Sequence, residues 1–461
     1  MSTQDLDFSA FSALKKSDWL GQIEKELRGK PFESMLTEIE PGIVLQPAYT
    51  KEDVGEITPL PPRAQDHLDL VEAVEVSNGE AQNKVLLDLL NRGASSLLLF
   101  LQEGVNLSDL LKDVLIQHIS VHYVVEGNGK SILDQLEKIV AERQLDPSTI
   151  RGSINIDPFE NLARTGSWFK SETEDLANIE AISNSSLTRM KTMCVNANIY
   201  HNSGGCTTTE LAVALAHANE YLARFNNASD RIWMNLAIGR NYLVEIAKFR
   251  AMRLLWAKVS EAYNSNAPLQ ISAETGLRNK TIYDPNVNML RTTTEALSAM
   301  VGGVDEVCVY PYDITFREST SLAKRVARNQ SLVMQYEAFA TKVNDPAAGS
   351  YAIENLTQQL CAKAWKKFQS IEAQGGYLEA LKSGFIQEMI DGDAADEQAK
   401  FDSGEITLVG TNKFPNQDEK MAEQVNLPLY SPDRGGEVVQ RLIPMRLAQK
   451  MERERLNAEQ S

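Results

Sequence analysis

The stretch VNANIYHNSGGCTTTELAVALAHANEYLARF (195–225) carries His201 where an extended run gives way to paired glycines and then to a helix. Barrel enzymes place their chemistry at such strand-to-helix junctions, which makes His201, with Tyr200 beside it, the first candidate for acid–base work. His118 and His122 lie four apart in a predicted strand, on one face but about 13 Å from each other, too far to share a metal ion. VVEGNGKSIL (124–133) sets Gly-Lys-Ser between a strand and a helix. A phosphate-binding loop needs a glycine where Val124 stands, so the stretch reads as a tight turn with a capping serine. No His-Glu-x-x-His, Cys/His cluster, Asp-rich loop or Gly-x-Ser-x-Gly elbow occurs, so no metal centre and no hydrolase site is expected.

Composition narrows the classes further. Acidic residues outnumber basic ones 63 to 46, for a net charge of −17 in 461 residues. Nucleic acid is a poor partner for such a chain, and an anionic small molecule would need local positive charge. The four cysteines (Cys194, Cys206, Cys308, Cys361) form no CxxC pair, as suits reduced thiols in the cytoplasm. The start, MSTQDLDFSAFSALKK, has no apolar core of a secretory signal, and the longest aliphatic run, SSLLLFLQ, is too short to span a bilayer. The expectation is a cytoplasmic protein with no membrane partner.

These residues need a scaffold. Eight candidate strands (67–76, 95–102, 118–126, 150–158, 190–200, 231–239, 269–275 and 305–313) alternate with runs of helical spacing. Eight such units over about 270 residues predict an α/β fold, a (β/α)8 TIM barrel over 61–340, in preference to a doubly wound sheet. Residues 1–60 read as an N-terminal helical arm. SDWLGQIEKELRGK is a helix capped by Ser17 and stopped at Gly29, with Trp19, Ile23 and Leu27 along one face. That stripe needs cover from the body or from another subunit. Residues 341–461 read as a C-terminal helical extension: a helix to the paired glycines, a second over GYLEALKSGFIQEMIDG, a polar stretch with one strand-like piece, and a charged closing helix.

NYLVEIAKFRAMRLLWAKV (241–259) interleaves Glu245, Lys248, Arg250, Arg253 and Lys258 with Leu243, Ile246, Ala247, Leu254 and Trp256. On spacing alone it is an outer barrel helix with an apolar stripe and i,i+4 ion pairs. From Ala237 to Lys258 it also resembles a signature of the methylmalonyl-CoA mutase family. TIYDPNVNMLRTTTEALSAMVGG, RVARNQSLVMQYE, VNDPAAGSYAIENLT and SGEITLVGTNKF follow in family order, and the arm is similar too.

The resemblance implies a barrel that in catalytic members threads an acyl-CoA along its axis, with radical chemistry supplied by adenosylcobalamin on a separate domain. It also implies parts that this sequence lacks. There is no Asp-x-His-x-x-Gly, and no tyrosine between Tyr49 and Tyr123 to match the segment before the first strand. The Thr-His-Ser-Gln-Thr of strand seven is replaced by Ile271, Ser272, Ala273, Glu274 and Thr275. Glu274 would repel an anionic thioester in a low-dielectric channel. Tyr200 and His201 match the family's Tyr-His, but the loop to Glu210 is shorter than in catalytic members, so both are vestigial.

By this likeness the chain resembles the small, non-catalytic subunits of heterodimeric mutases, inactive alone and binding no cofactor. Adenosylcobalamin is then expected on the partner, the large subunit. Ser272, Glu274 and Arg328 would be substrate-channel remnants, and Trp19, Ile23 and Leu27 an interface. The alternatives are the substrate-binding barrel of a mutase whose cobalamin domain is a separate chain, a barrel holding an unrelated ligand, or a self-associating chain with its own role.

Overall fold

Alternation from residue 67 onward resolves into strands whose two faces are both covered, as closure into a barrel requires. We describe a computed structural model covering residues 15–226, 228–428 and 433–460. The arm holds helix α1 (Lys16–Glu26) and the antiparallel hairpin β1 (Thr37–Glu40) and β2 (Ile43–Leu45). The body runs β3 (Asp69–Val76), α2 (Gly79–Asn91), β4 (Ser96–Leu101), α3 (Leu107–Leu110), β5 (Ser120–Val124), α4 (Gly129–Glu142), β6 (Arg151–Asn155), α5 (Pro158–Thr165) and α6 (Glu172–Ser183). It continues through β7 (Met190–Lys191), β8 (Met193–Asn196), α7 (Asn198–Asn202), α8 (Thr207–Arg224), β9 (Ile232–Ile238), α9 (Tyr242–Ala262), β10 (Gln270–Thr275), α10 (Val287–Val301), β11 (Glu306–Cys308) and α11 (Ser321–Tyr336). Then come α12 (Tyr351–Glu372), α13 (Tyr377–Lys382), α14 (Phe385–Asp402) and α15 (Gln449–Gln460).

The parallel sheet has the order β7-β6-β5-β4-β3-β11-β10-β9-β8. β7 and β8 are halves of one strand interrupted at Thr192, whose amide reaches Arg231 O at 3.1 Å. Because β7 pairs with β6 and β8 with β9, the segments close into an eight-stranded barrel. The expected (β/α)8 architecture is the one observed. All seven residues of β9 are buried, the pattern of a strand covered inside and out.

Several local expectations are corrected. Helix α1 is started by Asp18, which accepts the Lys15 amide at 2.9 Å, rather than by Ser17. It buries none of its residues, so Trp19, Ile23 and Leu27 stay half-exposed, and Trp19 meets Phe32 edge-on at 6.3 Å. Ser131 does not cap α4; its amide donates to the true cap, Asn128. The second extension helix is broken at Gly384, which adopts φ 86°, into α13 and α14, and α14 runs on to Asp402, into the polar stretch. The strand-like piece is a single bridge between Val409 and Lys413.

Helix α12 lies across α8 and α9, and one continuous hydrophobic core joins the strands to Leu356, Leu360, Tyr377 and Ile386 of the extension. The hairpin is tied to α12 by the Gln359 side chain, which accepts from Val44 N and donates to Val44 O, both at 3.0 Å. Asn355 adds a bond to Asp53 O at 2.8 Å.

Candidate functional site

The barrel axis is occupied by its own side chains. Glu306 accepts from His122 Nε2 (2.9 Å) and Gln270 Nε2 (3.0 Å) on one oxygen, and from Trp233 Nε1 (2.9 Å) on the other. His122 Nδ1 meets Ser153 Oγ at 2.9 Å, so both ring nitrogens are engaged. These groups come from β5, β6, β9, β10 and β11, and none exceeds 7% exposure. Below them Asp69 accepts from Ser120 at 2.9 Å, and His67 at the barrel floor meets Arg151 at 2.8 Å. Above them Val71, Leu98 and Cys308 form an inward apolar layer with Phe100, Val124 and Tyr310. His118 stands exposed before β5, apart from His122.

Glu274 points into the upper barrel, where Asn235 donates at 2.9 Å and Asn198 and Tyr310 also bond it. Burial raises its carboxyl above the ordinary range, against the lowering effect of Asn235, Asn198 and Tyr310. All three donors are neutral. Ser272 lies two residues earlier on β10, between Gln270 and Glu274. Arg328 is elsewhere: on α11, 3.5 Å from Glu72, on the outer face of β3 and not in the axis.

His201 and Tyr200 sit on the short helix α7, not at a strand end, because the strand stops at Asn196. The helical turn sends them different ways. Tyr200 runs outward, its hydroxyl bonded to His217 Nδ1 (2.9 Å) and Tyr377 (2.8 Å). His217 in turn lies 3.0 Å from Asp157, the residue that caps α5 and also accepts from Tyr221 and Asn196. Tyr200 is therefore packed into the join between barrel and extension. The His201 ring lies over Gly239 and Gly276 at the ends of β9 and β10, where an added Cβ would come within 3.0–3.1 Å of the ring. It faces a cavity of about 60 Å³ bordered by Glu40, Arg240, Glu245, Arg278, Asp393 and Glu397. Burial, and then the charges of Lys248, Arg278, Lys280 and Arg240, hold this imidazole well below its ordinary pKa. It is a neutral group at pH 7.

On the side of β8 to β10 the mouth is covered by C-terminal segments. Arg278 binds Glu397 of α14 at 2.6 Å, and Leu442, Met445 and Leu447 donate backbone bonds to Ala163, Asn202 and Arg278. Among the described residues no group of three or more His, Cys, Asp or Glu is arranged to hold a metal ion. All four cysteines are free.

Comparison with known proteins adds a family. The family model for methylmalonyl-CoA mutase matches residues 101–455. The methylmalonyl-CoA mutase small subunit of Porphyromonas gingivalis is 33% identical over 454 residues, covering 91% of this chain and 73% of that one. This chain belongs to the methylmalonyl-CoA mutase family. The probable small subunit of Mycobacterium tuberculosis is 30% identical, covering 86% of this chain and 68% of its own length. The methylmalonyl-CoA mutase of Rhizobium meliloti is 28% identical, and this chain spans 64% of it.

The segment that carries the mutase-family likeness is not a solvated helix face. Lys248 is fully buried and donates to Glu210 (2.9 Å) and Ala237 O (2.6 Å), and it pairs with Glu245 at 2.6 Å. Burial alone would lower this ammonium, but Glu210 and Glu245 outweigh it and hold it above its ordinary value. Arg250 pairs with Asp345 and Glu354, while Arg253 binds Asp305 (3.0 Å), Gly303 O and Leu269 O. Leu243, expected in the apolar stripe, is exposed. Lys248 thus fastens α8, α9 and β9 together, while Arg250 ties α9 to α12 and Arg253 ties it to the segments before β10 and β11.

The sequence reading missed Glu306, Trp233 and Gln270. Their signal was present: polar residues at inward positions of otherwise apolar barrel strands, where each needs a partner across the axis.

Proposed function

We propose that this chain is the non-catalytic small subunit of a heterodimeric, adenosylcobalamin-dependent methylmalonyl-CoA mutase, which interconverts methylmalonyl-CoA and succinyl-CoA. Its role is to support the catalytic large subunit in the cytoplasm. The observation that carries the reading is the Glu306–His122–Trp233–Gln270 network, which fills the axis that a threaded acyl-CoA would need. Glu274, held by neutral donors only, adds an acidic group at the upper end.

The histidines do not fit adenosylcobalamin either. His122 and His217 are buried in hydrogen-bonded networks, His67 and His118 lie at the barrel floor, and His201 opens only onto the small cavity. The cofactor then belongs to the partner. A substrate-binding barrel served by a separate cobalamin chain would need the same open axis, so the network speaks against it. The half-exposed stripe of Trp19, Ile23 and Leu27 on α1 is the interface we assign to the large subunit. A complex that buries it also raises the apparent stability of both chains.

The test is to prepare the chain alone and with its large subunit, then measure adenosylcobalamin binding and methylmalonyl-CoA turnover. The reading expects neither from the isolated chain and both from the complex. Turnover by the isolated chain supplied with a free cobalamin domain would overturn it.

A further inference from the structure

Helix α11 carries apolar residues on two opposite sides. Its inner face is built from Ala323, Ala327, Ser331 and Met334, all buried against the barrel. The other side presents Leu322, Val326, Asn329, Val333 and Tyr336, at alternating steps of four and three residues. That is the spacing of a coiled-coil seam, a narrow stripe that fits a second helix over some 20 Å. None of the five is buried, and Leu322, Val333 and Tyr336 are 46–66% exposed.

The apolar surface continues beyond the helix. The amides of Glu337 and Ala338 both return to Val333 O, and Ala340 N to Met334 O, so the chain turns back against the last turn of α11 and keeps Phe339 near it. Phe339 and Val343 are each 61% exposed, and Leu290 on α10 is 66% exposed. Gln330 donates to Met289 O and Thr293 Oγ1, which sets the first turn of α10, and Leu290 with it, beside the middle of α11. Six large side chains exposed to this degree present on the order of 600 Å², the upper end of what a monomer leaves uncovered. With a polar rim the face approaches the roughly 800 Å² that each partner gives to a standard interface.

The face matches itself. Two copies of α11 laid antiparallel about a two-fold axis at Ser331 bring Val326 level with Tyr336 of the second copy and Asn329 level with Val333. Leu322 then comes level with Phe339 to within one residue. Arg325 and Glu337 stand six positions before and after Ser331, so each arginine comes level with the other copy's glutamate. Antiparallel helix dipoles add to that match. No charged residue interrupts the stripe, so the chain's net charge of −17 does not oppose contact there. Asn329 is the single polar residue of the seam, the kind of residue that fixes register and helix number at some cost in stability.

We propose that this face joins two copies of the chain, α11 against α11 about a two-fold axis. The contact is isologous and closes at two. It uses none of the residues assigned to the large subunit, so on the reading above the assembled mutase holds two copies of each subunit.

The test is sedimentation velocity on the chain alone between about 1 and 50 µM, then on the chain with its large subunit. The proposal expects a reversible species of two chains alone, and of two of each subunit in the complex. Val333→Lys and Tyr336→Lys should each raise the dissociation constant of the pair tenfold or more, since the symmetry places every substitution in the contact twice. Both positions are exposed, so far-UV circular dichroism should not change. Trp19→Ala, on the arm, should leave the pair intact. A chain that stays single up to about 50 µM, or a pair indifferent to Val333→Lys, would overturn the proposal. A one-to-one complex with the large subunit that Val333→Lys abolishes would overturn it too, and would give the face to that subunit.

Discussion

Removing the Glu306 carboxylate is the sharpest test of a filled axis. Glu306→Ala strands three buried donors, His122 Nε2, Gln270 Nε2 and Trp233 Nε1, that now converge on one group at 2.9–3.0 Å. A buried polar group left without a partner costs about 1–3 kcal/mol, and three of them set a range of roughly 3–9 kcal/mol. Water entering the space, and rotation of Gln270, bring the expectation to the lower half, about 3–5 kcal/mol. Glu306→Gln retains an acceptor but turns an N–H toward one donor, so it should lose about half as much. Equilibrium denaturation in guanidinium, followed by far-UV circular dichroism and Trp fluorescence, reads both losses. The fluorescence also follows Trp233, one of five tryptophans, into its new environment. A loss below about 1 kcal/mol for Glu306→Ala, or equal losses for the two variants, would refute the idea that the carboxylate organises the axis.

Lys248→Met should cost about 3–5 kcal/mol at pH 8, because Glu210 and Glu245 are left as uncompensated buried charges. Glu210, which burial already pushes up to about 7, then takes up a proton on folding, so the loss should shrink as the pH falls toward 5, and a loss independent of pH in denaturation curves would contradict the triad. Glu274→Gln tests a carboxyl that burial raises. The folded chain binds a proton there that the unfolded chain has lost, so the native residue's contribution falls as pH rises above the ordinary carboxylate range. The variant should gain relative to the parent between pH 5 and 8, and a relative loss over that range would reverse the sign. Trp19→Ala should weaken assembly with the large subunit tenfold or more, read by titration calorimetry, with little change in the stability of the isolated chain. Unchanged affinity would remove α1 from the interface.

The barrel was legible because eight apolar strands at regular spacing have few ways to be covered on both faces. The site was legible only in part, for a physical reason. Spacing says which residues share a face, but not whether that face meets water, and the helix at 242–262 shows the difference. Its charges fit i,i+4 pairing on a solvated surface, yet Lys248 turns to α8 and β9, Arg250 to Glu354 on α12 and Arg253 to Asp305, each a buried link to a distant partner. Arg328 differs in the opposite direction: the resemblance implies a channel group, and its helix places it outside the wall.

His201 joins both lessons. Its type and its place beside the barrel mouth were readable, but its environment depends on segments more than 150 positions away in either direction, the arm at Glu40 and α14 at Asp393. A histidine poised for acid–base work needs a pKa near the working pH and access to a substrate. This one is kept neutral by burial and four cations, and closed in by a hairpin and a helix. The residue type that suggested chemistry is present, and its surroundings are packed as structure. The same substitution of packing for access recurs at Glu306, where an ionisable group on the axis binds its neighbours rather than a ligand.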